Sequence, residues 1–405
     1  MTPDPQRPLW AGRALALTGI VLVAFNLRTA VASLSPILGQ LEAEIPLSAV
    51  EVGLLGMLPP LCYAVFGIVT PLIARRFGLE STLVAALVVL VSGLAGRGLA
   101  GSASWLLVAS TVTFAAIGVG NVLLPPLVKR YFPDRVGLLT SLYVTLLSVS
   151  TFVPPLLAVP VADAAGWRWS LGMWAVVAAL AIVPWIALLV HPRRQAPAAL
   201  PEEAEPGLLR YAVRSPLAWS LTIVFAAAGF NAYALFAWLP SILADTAGTS
   251  PAEAGALLSL YAAMGLPAGL IVPTLAVRYG RVRSLIAIGA ATLVAGYAGL
   301  LLAPATATWL WVALAGIGPL FFPLSLVLIN LRSRTHTGAV ALSGFVQSVG
   351  YLIVASGPLV VGLLHDATGG WTVPILLLLA SALPASVAGV VVARKRYFED
   401  ERADR

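Results

Sequence analysis

Arg28 is the residue of this sequence with the clearest chemical consequence. It stands past the middle of an apolar run, 14–38. A helix rising about 1.5 Å per residue needs about 20 residues to cross a hydrocarbon core about 30 Å thick, so this run is long enough to span. An arginine at that depth costs roughly 2.5 to above 10 kcal/mol unless it faces protein, water or a ligand. Its planar, delocalised charge suits a planar anion or a strongly dipolar acceptor. The plainer role is a brace held by neighbouring carbonyls.

Other polar side chains also fall inside apolar runs. Asn26 lies about 200° around a helix from Arg28, so the two cannot face one partner, whereas Phe25 and Ala32 share the Arg28 face. The second run holds Tyr63 and the fourth holds Asn121, beside Gly120 and near Pro125-Pro126. The fifth run carries Ser141, Thr145 and Ser148 on one face, and the seventh carries Asn231 and Tyr233. In the eleventh, Ser343, Gln347 and Tyr351 form a stripe at i, i+4 and i+8, the cleanest polar face of the C-terminal half. Hydroxyls in membrane helices commonly bond their own backbone or a neighbouring helix. Amides at that depth need partners.

Several chemistries lack their residues. No Asp or Glu falls in the middle of an apolar run, and His191, His336 and His365 lie at run ends or in loops. No His/Cys/carboxylate cluster has the make-up of a catalytic metal site, and no Gly-rich loop ending in Lys-Ser/Thr is present to cradle phosphates. No enzyme, cofactor or direct use of ATP is therefore expected. The one cysteine, Cys62, cannot form an intramolecular disulfide.

The elements that must position these residues are membrane helices. Of the 405 residues, 60% are hydrophobic and 10% charged, against about 25% charged in a soluble domain. Apolar runs fall at 14–38, 50–73, 81–103, 105–128, 136–160, 169–190, 216–240, 252–275, 284–303, 307–331, 338–364 and 371–393. They predict twelve transmembrane helices in an all-α membrane protein. The first run is long and reads as a retained helix, not a cleaved signal. The net charge of +7 follows topology and does not point to nucleic acid. With both termini in the cytoplasm, every Lys and Arg of the 24 except Arg28, Arg97 and Arg168 falls on the cytoplasmic side, as the positive-inside rule requires of a multi-pass inner-membrane protein.

The chain also repeats itself. Ser48-x-x-Glu51-x-Gly53 matches Ser250-x-x-Glu253-x-Gly255, and Pro71-x-x-Ala74-x-Arg76-x-Gly78 matches Pro273-x-x-Ala276-x-Arg278-x-Gly280, both at an offset of 202. Phe25-Asn26 matches Phe230-Asn231, and Gly118-x-Gly120-x-x-x-x-Pro125 matches Gly316-x-Gly318-x-x-x-x-Pro323. The expected organisation is an N-terminal six-helix half (1–190), a cytoplasmic linker (191–213) carrying Glu202, Glu203 and Glu205, and a C-terminal six-helix half (214–405). Two halves in the same orientation look like the parallel repeats of the major facilitator superfamily.

The motifs narrow that resemblance. Ala24-Phe25-Asn26-Leu27-Arg28, Gly120-Asn121-Val122-Leu123-Leu124-Pro125, Lys129-Arg130-Tyr131-Phe132-Pro133-Asp134-Arg135-Val136-Gly137-Leu138 and Gly166-Trp167-Arg168-Trp169 resemble the cyanate/2-nitroimidazole transporter family of that superfamily. Two departures stand out. Thr29 occupies the place where family members usually have proline, and Arg75, with Val277 in the second copy, replaces the usual loop aspartate. The resemblance implies secondary-active transport by alternating access, with a cavity lined chiefly by helices 1, 4, 7 and 10. It also implies a small anionic or strongly dipolar substrate, cyanate-like or nitroimidazole-like. The expected substrate-binding set is Arg28, Asn26, Phe25, Tyr63, Asn121, Asn231, Tyr233, Gln347 and Tyr351, with Phe230 as a further aromatic wall. The expected gating and loop set is Arg76, Gly78, Asp134, Arg135, Arg278 and Gly280. The lipid bilayer is the surrounding partner, protons are a candidate coupling ion, and a monomer is expected. A broad-specificity drug exporter of the same fold, and a non-transporting receptor, are the alternatives.

Overall fold

The structure is a computed structural model that describes residues 13–190 and 206–403, and among these all regular structure is helical. Eleven helices are long and apolar enough to cross a membrane, and a shorter apolar one precedes them. In chain order they are α1 (Ala14–Thr29), α2 (Ala49–Phe77), α3 (Leu79–Gly98), α4 (Ala103–Tyr131), α5 (Val136–Ala165), α6 (Trp167–Val190), α7 (Pro216–Ala247), α8 (Pro251–Val277), α9 (Val282–Leu302), α10 (Thr308–Leu331), α11 (Thr337–Thr368) and α12 (Thr372–Val392). The twelve-helix major facilitator architecture fits this order. Residues 1–12, 191–205 and 404–405 lie outside the described residues. With them go Arg7, Arg193, Arg194, the acidic cluster of the expected linker, and its first fifteen positions. Its last part contains a short helix, Pro206–Ala212.

The first apolar run departs from a single helix. α1 stops at Thr29; residues 30–34 turn, Ser35–Ile37 forms a 3-10 turn, and Leu38–Glu42 a short helix. Pro36 has no N–H to give the Ala32 carbonyl and its ring excludes that carbonyl, so a regular α-helix cannot run through this stretch. Other breaks follow the same chemistry. α8 is interrupted after Ala263 and α12 after Ala380, each four residues before a proline, Pro267 and Pro384, whose ring excludes the carbonyl at that distance.

Packing divides the described residues into two compact units, one of 13–46 and 65–190, the other of 47–64 and 206–403. Residues 47–64, which the sequence assigns to the N-terminal half, pack with the second unit. Glycine permits this. A Cβ at Gly53 would meet Leu359 Cα at 2.8 Å, and one at Gly56 would meet Pro358 Cβ at 2.7 Å.

The repeated loop motifs form repeated turns. Gly78 (φ +85°) and Gly280 (φ +61°) adopt backbone conformations that side chains disfavour. Arg76 lies over the Phe77 ring at 5.4 Å and Arg278 over Tyr279 at 5.8 Å. Between α4 and α5, Arg13 donates to both Asp134 carboxylate oxygens (2.6 and 3.1 Å) and to Tyr131 O, with Arg135 3.7 Å away. The Arg13 hydrogen bond holds the Asp134 carboxyl below its usual range. A depressed carboxyl pKa stabilises fully above the unfolded value of about 3.9, and the contribution is lost as pH falls through the folded value. This pair is partly solvated, so we expect Asp134→Asn to lower stability by only roughly 0.2–1 kcal/mol at neutral pH. The gap between thermal melts of variant and wild type should begin to shrink as pH falls below about 4 and close once pH is below the folded value; a gap that does not shrink with acid would mean that the pair is not its source.

Candidate functional site

The polar residues of α1 divide by direction. Asn26 is fully buried. Its Nδ2 donates to Leu22 O one turn back (2.8 Å) and to Val177 O on α6 (3.3 Å). Thr29 is also buried and donates to Asn26 O at 3.3 Å. Arg28 is half-buried, on the less covered face that also carries Phe25 and Thr18. Its Nη1 donates to Leu27 O at 3.2 Å. The Phe25 ring lies 6.3 Å from Trp174 at the start of the second segment of α6. A planar cation that shares a half-buried helix face with an aromatic can receive a carboxylate-like or nitro-like group. Asn121 on α4 is half-buried and donates to Ile117 O in its own helix (3.1 Å). Next to it, Gly120 allows close approach of α1, since a Cβ there would meet Leu27 Cδ2 at 2.7 Å.

In the second unit Asn231 takes the place of Asn26. It is fully buried. Nδ2 donates to Ala227 O and to Ser381 Oγ on α12 (both 2.7 Å), and Oδ1 accepts from the Tyr297 hydroxyl on α9 (2.6 Å). The two repeat-related asparagines therefore do one job, tying α1 to α6 and α7 to α12. The sequence reading offers both to a substrate; the structure turns both into helix contacts. The reason is energetic: a buried amide needs hydrogen bonds, and neighbouring helices supply them for Asn231 and for the Nδ2 of Asn26.

The α11 stripe is present as read. Ser343, Gln347 and Tyr351 are all half-buried, and Gln347 Nε2 donates to Ser343 Oγ at 2.7 Å. Tyr351 meets Tyr63 edge-on at 6.1 Å and Phe225 at 5.1 Å, and Phe225 meets Phe322 of α10 at 5.2 Å. Gly350 is pressed against Phe225, which a Cβ would strike at 2.5 Å. Tyr233, on α7, belongs instead to a row with Phe236 (6.1 Å) that continues to Tyr261 (5.7 Å). Phe230 is half-buried one position before Asn231.

The structure thus groups Phe25 with Arg28 on one face of α1, and brings Tyr63 of α2 against Tyr351, which shares an α11 stripe with Gln347. Tyr233 belongs to its own aromatic row, and Asn121 bonds its own helix. The sequence reading missed Trp174, Phe225 and Phe322 as aromatic neighbours, and Tyr297 and Ser381 as partners of Asn231. None carries a local signal, because each is brought in by a helix distant in sequence. Among the described residues no three His, Cys, Asp or Glu side chains cluster as metal ligands.

Comparison with known proteins agrees with this arrangement. The sequence model of the Major Facilitator Superfamily matches residues 18–355 and 243–404. The chain is 36% identical over 391 residues to an uncharacterized transporter, YycB, of Bacillus subtilis (strain 168), covering 95% of each chain. It is 34% identical over 387 residues to the 2-nitroimidazole transporter of Escherichia coli (strain K12), covering 95% of this chain and 96% of that one. To the cyanate transport protein CynX of the same organism it is 25% identical over 358 residues, covering 87% and 90%. With eleven spanning-length apolar helices and a shorter one before them among its described residues, and with paired Phe-Asn signatures, the chain is a multi-pass membrane transporter that belongs to the major facilitator superfamily, within the family of the cyanate and 2-nitroimidazole transporters.

Proposed function

We propose that the protein is a secondary-active carrier for a small planar anion or strongly dipolar solute, cyanate-like or nitroimidazole-like, moved by alternating access. The observation that carries this reading is the placement of Arg28. It lies on the less covered face of α1, while its polar neighbours Asn26 and Thr29 are spent on helix contacts. An anion or nitro group would offset the arginine charge. Two relatives whose names give such substrates support the class. In this reading Arg28 holds the acceptor end and Phe25 flanks it. Gln347 contributes an amide, with Tyr351 and Tyr63 as aromatic surface. Asn121 and Tyr233 are secondary contacts, and Asn26 and Asn231 are braces. Arg76, Gly78, Arg278, Gly280, Asp134 and Arg135 shape the loops between helices through which gating would pass. The charge distribution supports an inner-membrane protein with cytoplasmic termini; that it works as a monomer is part of the proposal.

The test is transport in proteoliposomes, with labelled cyanate or 2-nitroimidazole imposed in either direction, with and without a pH gradient. Saturable flux of one of them supports the reading, and a response to the pH gradient would identify protons as the coupling ion. Flux of bulky apolar drugs alone would replace it with the exporter reading. For the transported probe, Gln347→Leu should raise KM about 3- to 10-fold, the worth of one polar contact, with the maximal rate little changed. An unchanged KM would remove Gln347 from the site.

A further inference from the structure

Arg97 is the least expected charged residue of the fold. It closes α3 and is 1% exposed. Its guanidinium makes a single hydrogen bond, from Nη1 to Ala30 O at 3.2 Å, and lies 5.8 Å over the Phe114 ring. Its Nε is buried without a partner, and among the described residues no carboxylate lies within ion-pair distance. Apolar side chains of similar volume commonly replace buried charges at no loss of stability, so packing alone does not account for an arginine here.

Its acceptor explains it. Ala30 is the residue at which α1 ends, and its carbonyl also accepts from Ser33 Oγ at 3.4 Å. Inside a membrane protein such freed carbonyls need donors. Asn26 and Ala30 are four residues apart, so they share one face of α1, and Arg28 between them lies about 200° from each. The Asn26 bond to α6 and the Arg97 bond from α3 thus clamp the last turn of α1 on both sides of Arg28.

We propose that Arg97 is a positioning residue: by holding the Ala30 carbonyl it fixes the end of α1 and so aims Arg28 at the substrate. The proposal rests on the assignment of Arg28 as the substrate contact. Arg97 would touch no substrate itself.

The experiment uses Arg97→Met and Arg97→Gln in the full chain. Gln keeps an N–H for Ala30 while removing the charge. Two quantities are read: amide hydrogen exchange over residues 30–37, and KM against maximal rate for cyanate or 2-nitroimidazole, whichever the wild type transports. Arg97→Met should speed exchange over 30–37 and raise KM about tenfold, with a smaller change in maximal rate. Arg97→Gln should restore most of both. Combining Arg97→Met with Arg28→Lys, which keeps part of the affinity, should raise KM by less than Arg97→Met does in the wild type, because the first acts through the second.

Multiplying effects in the double variant, or a raised KM with unchanged exchange, would overturn the proposal. So would equal damage from Met and Gln. Should Arg97→Met not fold, Arg97→Gln decides. Wild-type exchange and KM support the carbonyl clamp, and a raised KM with wild-type exchange refutes it. If Arg28→Ala alone transports normally, the substrate reading fails. The exchange readout then still reports whether Arg97 holds the end of α1, so the two failures are distinguishable.

Discussion

Arg28→Ala should abolish measurable saturable transport of cyanate or 2-nitroimidazole and leave a folded protein. Charge-assisted contacts to a desolvated anion are each worth about 1.5–3 kcal/mol, and removing one partner of a buried charged contact costs 2–5 kcal/mol or more. The expected loss in affinity is therefore about 100-fold or greater. Stability should change little, because the alanine variant no longer carries a cation inside the membrane, and that relief offsets lost contacts such as the 3.2 Å bond to the adjacent Leu27 carbonyl. Arg28→Lys should recover only part of the affinity, since an ammonium offers a point charge and not a planar fork. The check pairs transport kinetics with a thermal melt in detergent. Full transport by a well-folded Arg28→Ala would sink the binding role. A variant that loses transport together with its melting transition would make Arg28 a brace of the bundle.

How far this could be read in advance depended on whether the deciding interactions were local. Helix number and order were legible because hydropathy over twenty residues outweighs every other signal in a bilayer, and the Arg-aromatic-Gly turns at Gly78 and Gly280 were visible as a repeated motif. The Ser343–Gln347–Tyr351 stripe was legible because helical periodicity fixes it. The break in α1 was less so. Hydropathy carried the run through to Leu38 although Pro36 was in plain sight, since proline in membrane helices is often accommodated without ending them. Arg97 was legible only as one of three cations off the cytoplasmic side; its place is fixed by a freed carbonyl on α1, 67 residues away in sequence. The assignment of residues 47–64 to the second unit was not legible, because it depends on close contacts of Gly53 and Gly56 with α11 and α7.

The asparagines give the second large effect, and here the repeat itself held an unused signal. A polar residue recurring at equivalent places in two halves is as well suited to a fold contact that both halves need as to a substrate that one site binds. Asn231→Leu should therefore lower stability and leave KM for the transported probe unchanged. The substitution strips the Tyr297 hydroxyl of its acceptor inside the second unit and removes the donor to Ser381. A buried polar group left unpaired costs about 1–3 kcal/mol, so a loss of about 2–4 kcal/mol is expected when the lost tie to α12 is included. Adding Tyr297→Phe should recover part of that loss, because the orphaned hydroxyl goes with it, and the recovery measures the coupling within the triad. Asn26→Leu should cost less. Its Oδ1 is buried without a hydrogen-bond partner, and its tie to α6 is a single 3.3 Å bond. Thermal melts and transport kinetics on the four variants decide the matter. A raised KM for Asn231→Leu at undiminished stability would return that residue to the substrate site, and additive losses for Asn231→Leu and Tyr297→Phe would show that the hydrogen bond between them contributes nothing to the fold.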